Sequence, residues 1–309
     1  MKSLSLIMAI LGICSLGLKA QDRFPVKQLT FDPAQQGFPT WSPDGKYIIY
    51  QHSEMHDSTG NNGLWRMLSN GSGAKQIFKE LAEHPRWSPD GSLLVFDADT
   101  GKSIKIIPAE GGDPILFLPD SILIERGGLP CWSPDGTRIA FIEGGSSSLC
   151  VYDAKKGTIS RIFQEEGMLP LPGGWTPDGQ SILVALMERE TRRSTIWKVT
   201  SDGKEKQQIS GHHENLYRYL ALSPDGSLLV YGVVEGRHQG LYIMPFGGGP
   251  SLPLIVTEGG HNDGPCWSPD GKKIAFTSTR SGNFDIWVME VDPEQLKKDL
   301  MEDQEENQQ

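Results

Sequence analysis

The stretch Cys131–Gly136 reads CWSPDG, and the same six residues return at Cys266–Gly271. Variants of it end at Gly45 (TWSPDG), Gly91 (RWSPDG), Gly179 (GWTPDG) and Gly226 (LSPDG). In Ser42-Pro43-Asp44-Gly45, Pro presets φ at the first corner, Asp bonds its own backbone, and Gly takes the left-handed position that ends the turn. This is the chemistry of a hairpin with a bulge. The residues that introduce the turns, Trp41, Trp87, Trp132, Trp175, Leu222 and Trp267, are 46, 45, 43, 47 and 45 residues apart. A steady period near 45 is the mark of a repeat architecture.

Each turn is followed by a short apolar run, such as Tyr47-Ile48-Ile49-Tyr50, Leu93-Leu94-Val95-Phe96 or Ile274-Ala275-Phe276. Near-continuous apolarity predicts strands covered on both faces. A third strand follows in every unit, from Leu64-Trp65 in the first to Ile286–Met289 in the last, and Gly- or Asp-rich turns close it. Fourth strands are expected over Gln76–Lys79, Ile115–Leu118, Ile159–Phe163, Lys206–Ile209 and Leu252–Val256. The sixth unit has none of its own. Phe24–Phe31 (FPVKQLTF) reads as the missing strand and is expected to pair with Ile286–Met289, closing a ring without long sheet edges. The fold class is therefore all-β, a six-bladed β-propeller over residues 21–291, with the turn-flanking Trp side chains wedged between blades. A β-sandwich does not account for one unit written six times.

Residues 264–289, GPCWSPDGKKIAFTSTRSGNFDIWVM, carry the clearest copy of a known pattern. The W-S-P-D-G turn followed by I-A-F and I-W-V-M resembles the bacterial TolB-like propellers, a WD40-like repeat group of exported proteins. The resemblance covers about residues 24–291 and implies the fold far more than the function. TolB itself carries an α/β domain ahead of its propeller, whereas here the propeller is expected to begin directly after a leader.

That leader is Met1-Lys2-Ser3, the apolar run Leu4–Leu18 and Lys19-Ala20, which has the three regions of a secretory signal. Residues 1–20 are expected to be removed, taking Cys14 with them, which predicts a periplasmic or secreted protein. The apolar run is short for a membrane span. Cys131, Cys150 and Cys266 remain; the first two fall on strands with another strand between them, too far apart for a disulfide, so buried free thiols are expected. Among 309 residues there are 36 Gly and 21 Pro, and no long amphipathic helix is legible. The formal charge of −10 argues against nucleic acid as a partner and suits a surface that meets proteins, sugars or cations. Residues 292–309 form an acidic tail in which Pro293 opens a short helix over Glu294–Met301. A monomer is expected.

No catalytic, cofactor or metal site is assigned from the sequence. The turn aspartates Asp44, Asp90, Asp135, Asp178, Asp225 and Asp270 are explained by turn geometry. On the opposite face lie the loops that join second to third strands and one blade to the next. All seven histidines (His52, His56, His84, His212, His213, His238, His261) fall at or near it. Asp57, Asp97, Asp99, Glu188, Glu214, Glu235 and Asp263 share those loops and add to the possible metal ligands. No helical H-x-x-x-H pair is present. A peptidase would need a separate domain with G-x-S-x-G; Gly144–Ser148 lacks the closing Gly, and no phosphate loop is found. The leading expectation is a non-enzymatic module that binds a protein or cell-envelope component through this loop face, with His84, His213, Arg218, His261 and Asp263 as contacts. The alternative comes from the resemblance: some TolB-like propellers are metal-dependent lyases of uronic-acid oligosaccharides. Arg126, Arg192, Arg193, Arg218 and Arg237 would then be the candidate cations, and three or four histidines would converge on one point.

Overall fold

The structure is a computed structural model that describes residues 22–55, 60–98, 103–116, 127–210, 215–236 and 238–306. The expected signal segment, and with it residues 1–20, lies outside them. The chain is an all-β, six-bladed propeller, with one helix among the described residues. Each blade is a four-stranded antiparallel sheet, and the strands run in chain order from the channel outward. The six inner strands are Gln35–Trp41, Ala82–Trp87, Gly127–Trp132, Met168–Trp175, Leu216–Leu222 and Asn262–Trp267. The outermost strand of blade six comes from the chain start: Val26–Gln28 pairs antiparallel with Asp285–Glu290, placing Val26 opposite Met289 and Gln28 opposite Trp287. Ring closure is as the sequence predicts.

The repeated turn is built the same way in every blade. Ser42 Oγ donates to Asp44 at 2.6 Å and accepts from the Tyr47 N–H at 2.9 Å, while Asp44 also accepts from the Lys46 N–H at 3.1 Å. These bonds favour the ionised carboxylate, so the pKa values of Asp44, Asp90 and Asp135 are lowered to about 2. The turns also touch one another around the ring. A methyl group placed on Gly91 would lie 3.6 Å from Pro43, on Gly136 3.7 Å from Pro89, and on Gly45 3.8 Å from Pro269 of blade six. One tetrapeptide thus shapes its own hairpin and supplies the contact to the next blade, which is why it is written six times.

Apolar side chains pack between blades rather than in one central core. Cys131, Ala140, Leu149 and Val151 of blade three meet Trp175, Ile182, Val184 and Val199 of blade four. Three Trp side chains reach back to the preceding inner strand: Nε1 of Trp87, Trp175 and Trp267 donates to the carbonyls of Thr40, Cys131 and Ala221 at 3.2, 3.1 and 3.1 Å. Cys131, Cys150 and Cys266 are free thiols, and burial pushes the first two up to about 12.

The helix spans Pro293–Glu306, longer than the sequence suggests, and Asp292 caps it by accepting from the N–H groups of Glu294 and Gln295. Leu296 and Leu300 are buried in the cluster of blades five and six, while Lys297 and Asp299 pair with Asp225 and Arg23. No helix among the described residues is long and apolar enough to cross a membrane.

Candidate functional site

Every inner strand carries a register irregularity about three residues before its turn. In blades one, two, three, five and six the residue there is left-handed: Phe38 (φ 51°), His84 (49°), Leu129 (53°), Tyr219 (50°) and Gly264 (55°). Four of the five carry side chains that disfavour this conformation by roughly 1–2 kcal/mol each. A bulge re-aims the side chain it holds, and here the consequence is visible at the axis. Phe38 lies 4.1 Å from His84 and 5.3 Å from Tyr219 between ring centroids, and His84 stacks on Tyr219 at 5.7 Å and 24°. Blades two and five stand opposite one another in a six-membered ring, so their contact places an aromatic plug across the axis at this level.

The plug divides the channel into two cavities. On the turn side a space of about 300 Å³ is bordered by the Trp residues and Arg86. On the loop side a cavity of about 400 Å³ is floored by Phe38 and Tyr219 and walled by Gln36, Gln51, Glu83, Arg218, Gln239, His261, Asp263, Thr277 and Phe284. The polar groups there are tightly arranged. Arg218 lies over the Tyr219 ring at 4.8 Å and donates to its hydroxyl at 2.8 Å. Gln51 donates to Glu83 at 3.2 Å, His261 Nδ1 is 3.3 Å from Gln239 Oε1, and the Phe38 N–H bonds Thr277 Oγ1 at 3.1 Å. Behind the plug His84 Nδ1 is 3.1 Å from both Asp97 oxygens.

Asp263 is the charged group in the least favourable place. It lines the cavity, and desolvation raises its pKa to about 6 against the opposing pull of Arg218, of the Gly264 N–H that it accepts at 2.8 Å and of the Gln239 side chain. Burial likewise raises Tyr219 to about 12, so it is a neutral phenol at physiological pH. A carboxyl whose folded pKa exceeds its unfolded value costs stability as pH rises from about 4 through 6. Asp263→Asn is therefore expected to raise the thermal midpoint at pH 7, by at most about 3 kcal/mol of stability, and to leave it unchanged at pH 4. Calorimetry of both proteins across that range checks this.

Of the five expected contact residues, Arg218, His261 and Asp263 line the loop-side cavity and His84 backs its floor. His213 lies outside the described residues, as do His56, His212, Asp57, Asp99, Glu214, Arg126 and Arg237. His52 sits elsewhere, stacked on Trp65 at 5.1 Å with Nε2 3.4 Å from Asp32. Two groups among the described residues hold three possible ligand atoms within 4.8 Å, Asp32-His52-Glu54 and Glu83-His84-Asp97, and each contains a single histidine. The sequence reading missed Phe38, Tyr219, Gln36, Gln51 and Gln239. The signal for the first two was their place three residues before the turn Trp or Leu.

A closed six-bladed propeller with a plugged axial channel and one polar, loop-side mouth is the class that fold and site define. Solved structures share the fold: a protein assigned as TolB from Agrobacterium tumefaciens superposes with a TM-score of 0.62 at 22% identity over 86% of this chain and 97% of that one. An oligogalacturonate lyase in complex with manganese gives 0.60 at 15% identity over 89% and 96%. In sequence the chain is 28% identical over 221 residues to an uncharacterized protein of Agrobacterium fabrum, covering 71% of this chain and 58% of that protein. It is also 28% identical over 261 residues to an uncharacterized peptidase of Bacillus subtilis, covering 81% and 31%. The chain thus spans less than two thirds of the length of one of these relatives and under a third of the other. No protein-family profile matches the sequence. Its propeller is similar to those of TolB-like proteins, in keeping with the repeat motifs.

Proposed function

We propose that this propeller is an exported, non-enzymatic binding module that takes a protein or cell-envelope component at the loop-side mouth of its channel. The observation that carries this reading is the gathering of Arg218, His261 and Asp263, contributed by blades five and six, around one cavity with a rigid aromatic floor. Closed blades fix the strand ends, so the mouth presents its polar groups with little ordering cost on binding. The likeness to TolB propellers supports the same class of role and an envelope location.

Immobilised protein is expected to retain a component of an envelope fraction, and Arg218→Ala and His261→Ala to reduce its retention at least tenfold while the thermal midpoint stays within about 3 °C. Equal retention by both variants would reject the assignment.

A metal-dependent lyase is the second reading, favoured by the Glu83-His84-Asp97 group and by the fold of the manganese-bound lyase. The three side chains offer a nitrogen and carboxylate oxygens, a donor set suited to a divalent ion. Turnover of acidic oligosaccharides that a chelator abolishes would favour it over the binding role.

A further inference from the structure

The seam where the ring closes holds a group of side chains that neither the channel nor the repeated turns account for. Asp32 lies in the link between the closing strand Val26–Gln28 and the inner strand of blade one, and His52 and Glu54 stand at the end of that blade's second strand, Tyr47–Ser53. One ligand atom from each lies within 4.8 Å of the other two, and none of the three residues lines the loop-side cavity. His52 is 4% exposed and stacked on Trp65, and neither of its ring nitrogens is hydrogen-bonded to a described residue. Nδ1 is shut inside the blade, whereas Nε2 faces the carboxylate of Asp32, a side chain 58% exposed, so the group meets solvent on that side. Among the described residues no Lys or Arg pairs with Asp32 or Glu54.

We infer that Asp32, His52 and Glu54 bind a divalent ion of the zinc class, which pins the closing segment to blade one; the site is independent of the binding role proposed above. The first support is a separation. Nε2 stands 3.4 Å from Asp32 Oδ1, longer than a usual N–H···O bond of about 2.7–3.2 Å. Two donors that each sit about 2.0–2.1 Å from one tetrahedral zinc ion are about 3.3–3.4 Å apart. The second support is the donor set. One imidazole nitrogen with two carboxylates suits a borderline ion better than calcium or magnesium, which take oxygen ligands throughout. The third is the outer shell that holds the donors. Asp32 Oδ1 accepts the Ala34 N–H at 2.9 Å, and Asn62 clamps the Glu54 backbone, accepting its N–H at 2.5 Å and donating to its carbonyl at 3.2 Å. Gln36 lies directly across the ladder from His52 and carries a buried Oε1 with no partner. Coordination through Nε2 keeps the proton on Nδ1, the kind of donor that this acceptor is missing. Because the ligands come from both sides of the seam, an ion held there binds the closed ring and stabilises it.

The test is calorimetric titration of the chelator-treated full chain with zinc chloride, read beside its thermal midpoint. Zinc is expected to saturate below about 100 μM, and to raise the midpoint by about 5 °C at a hundredfold excess over its Kd. Asp32→Asn and His52→Gln are each expected to weaken zinc about tenfold or more and to cancel that rise. Asn in place of the exposed Asp32 keeps an acceptor for the Ala34 N–H, so this variant decides the matter if the buried His52 variant misfolds. His84→Gln, in the Glu83-His84-Asp97 group, is expected to leave both readouts unchanged. The inference is overturned if zinc does not saturate, if it leaves the midpoint where it was, or if calcium or magnesium binds as tightly. Undiminished affinity in Asp32→Asn overturns it too, as does a loss confined to His84→Gln, which would place the ion at the other group.

Discussion

Removal of residues 22–31 is expected to abolish cooperative unfolding of the whole propeller, although it takes away only one short strand. That strand is the outer edge of blade six, and its bonds reach from one chain end to the other. The Leu29 N–H donates to Ile286 at 2.8 Å, Thr30 Oγ1 accepts from the Ile286 N–H at 2.9 Å, and Gln28 and Thr30 both donate to the buried Asp285. Leu29 itself is packed with Trp41, Ile48 and Tyr50 of blade one and with Ile286 and Val288 of blade six. Without the strand, the middle of the last sheet becomes an open edge, Asp285 loses two donors, and the seam between first and last blades loses its apolar filling. The milder Leu29→Ala should cost about 2–5 kcal/mol in denaturant unfolding. A truncated protein that melts in one transition at the parental midpoint would show that the ring does not depend on this closure.

Trp175→Ala is expected to have the largest effect of any single substitution between blades, about 3–5 kcal/mol. The side chain is 7% exposed, its Nε1 donates to the Cys131 carbonyl, and the Arg138 guanidinium covers its ring at 4.6 Å. Truncation opens a cavity between blades three and four, leaves a carbonyl without its donor and strips a cation of its aromatic partner. Trp175→Phe keeps most of the apolar surface and should lose less than half as much. Comparison of the two denaturation midpoints measures this; equal losses would mean that the hydrogen bond, rather than the packing, dominates.

The loop-side mouth was legible only in part, and particular residues show why. His84, Arg218, His261 and Asp263 announce themselves as polar groups in loops and strand starts, so their residue types led to the mouth. Phe38 and Tyr219 read as ordinary inner-strand residues, because an alternating pattern would send such side chains between blades. Their left-handed backbone at φ 51° and 50° turns them to the axis instead. Nothing in the local sequence calls for that conformation in a bulky aromatic; packing across the ring compensates for it. Gln36, Gln51 and Gln239 were passed over because an amide is unremarkable on a surface and becomes informative only when buried.

By itself the sequence determined the number of blades, their boundaries and the way the ring closes. Those features follow from local chemistry repeated six times: a turn that Pro, Asp and Gly each shape for their own reason, and strands apolar on both sides. Only the tertiary structure decided which side chains meet at the axis, that the channel is plugged, and which carboxyl is forced up to about 6. Those outcomes depend on contacts between opposite blades and on the exclusion of water, and both quantities exist only once the ring has closed.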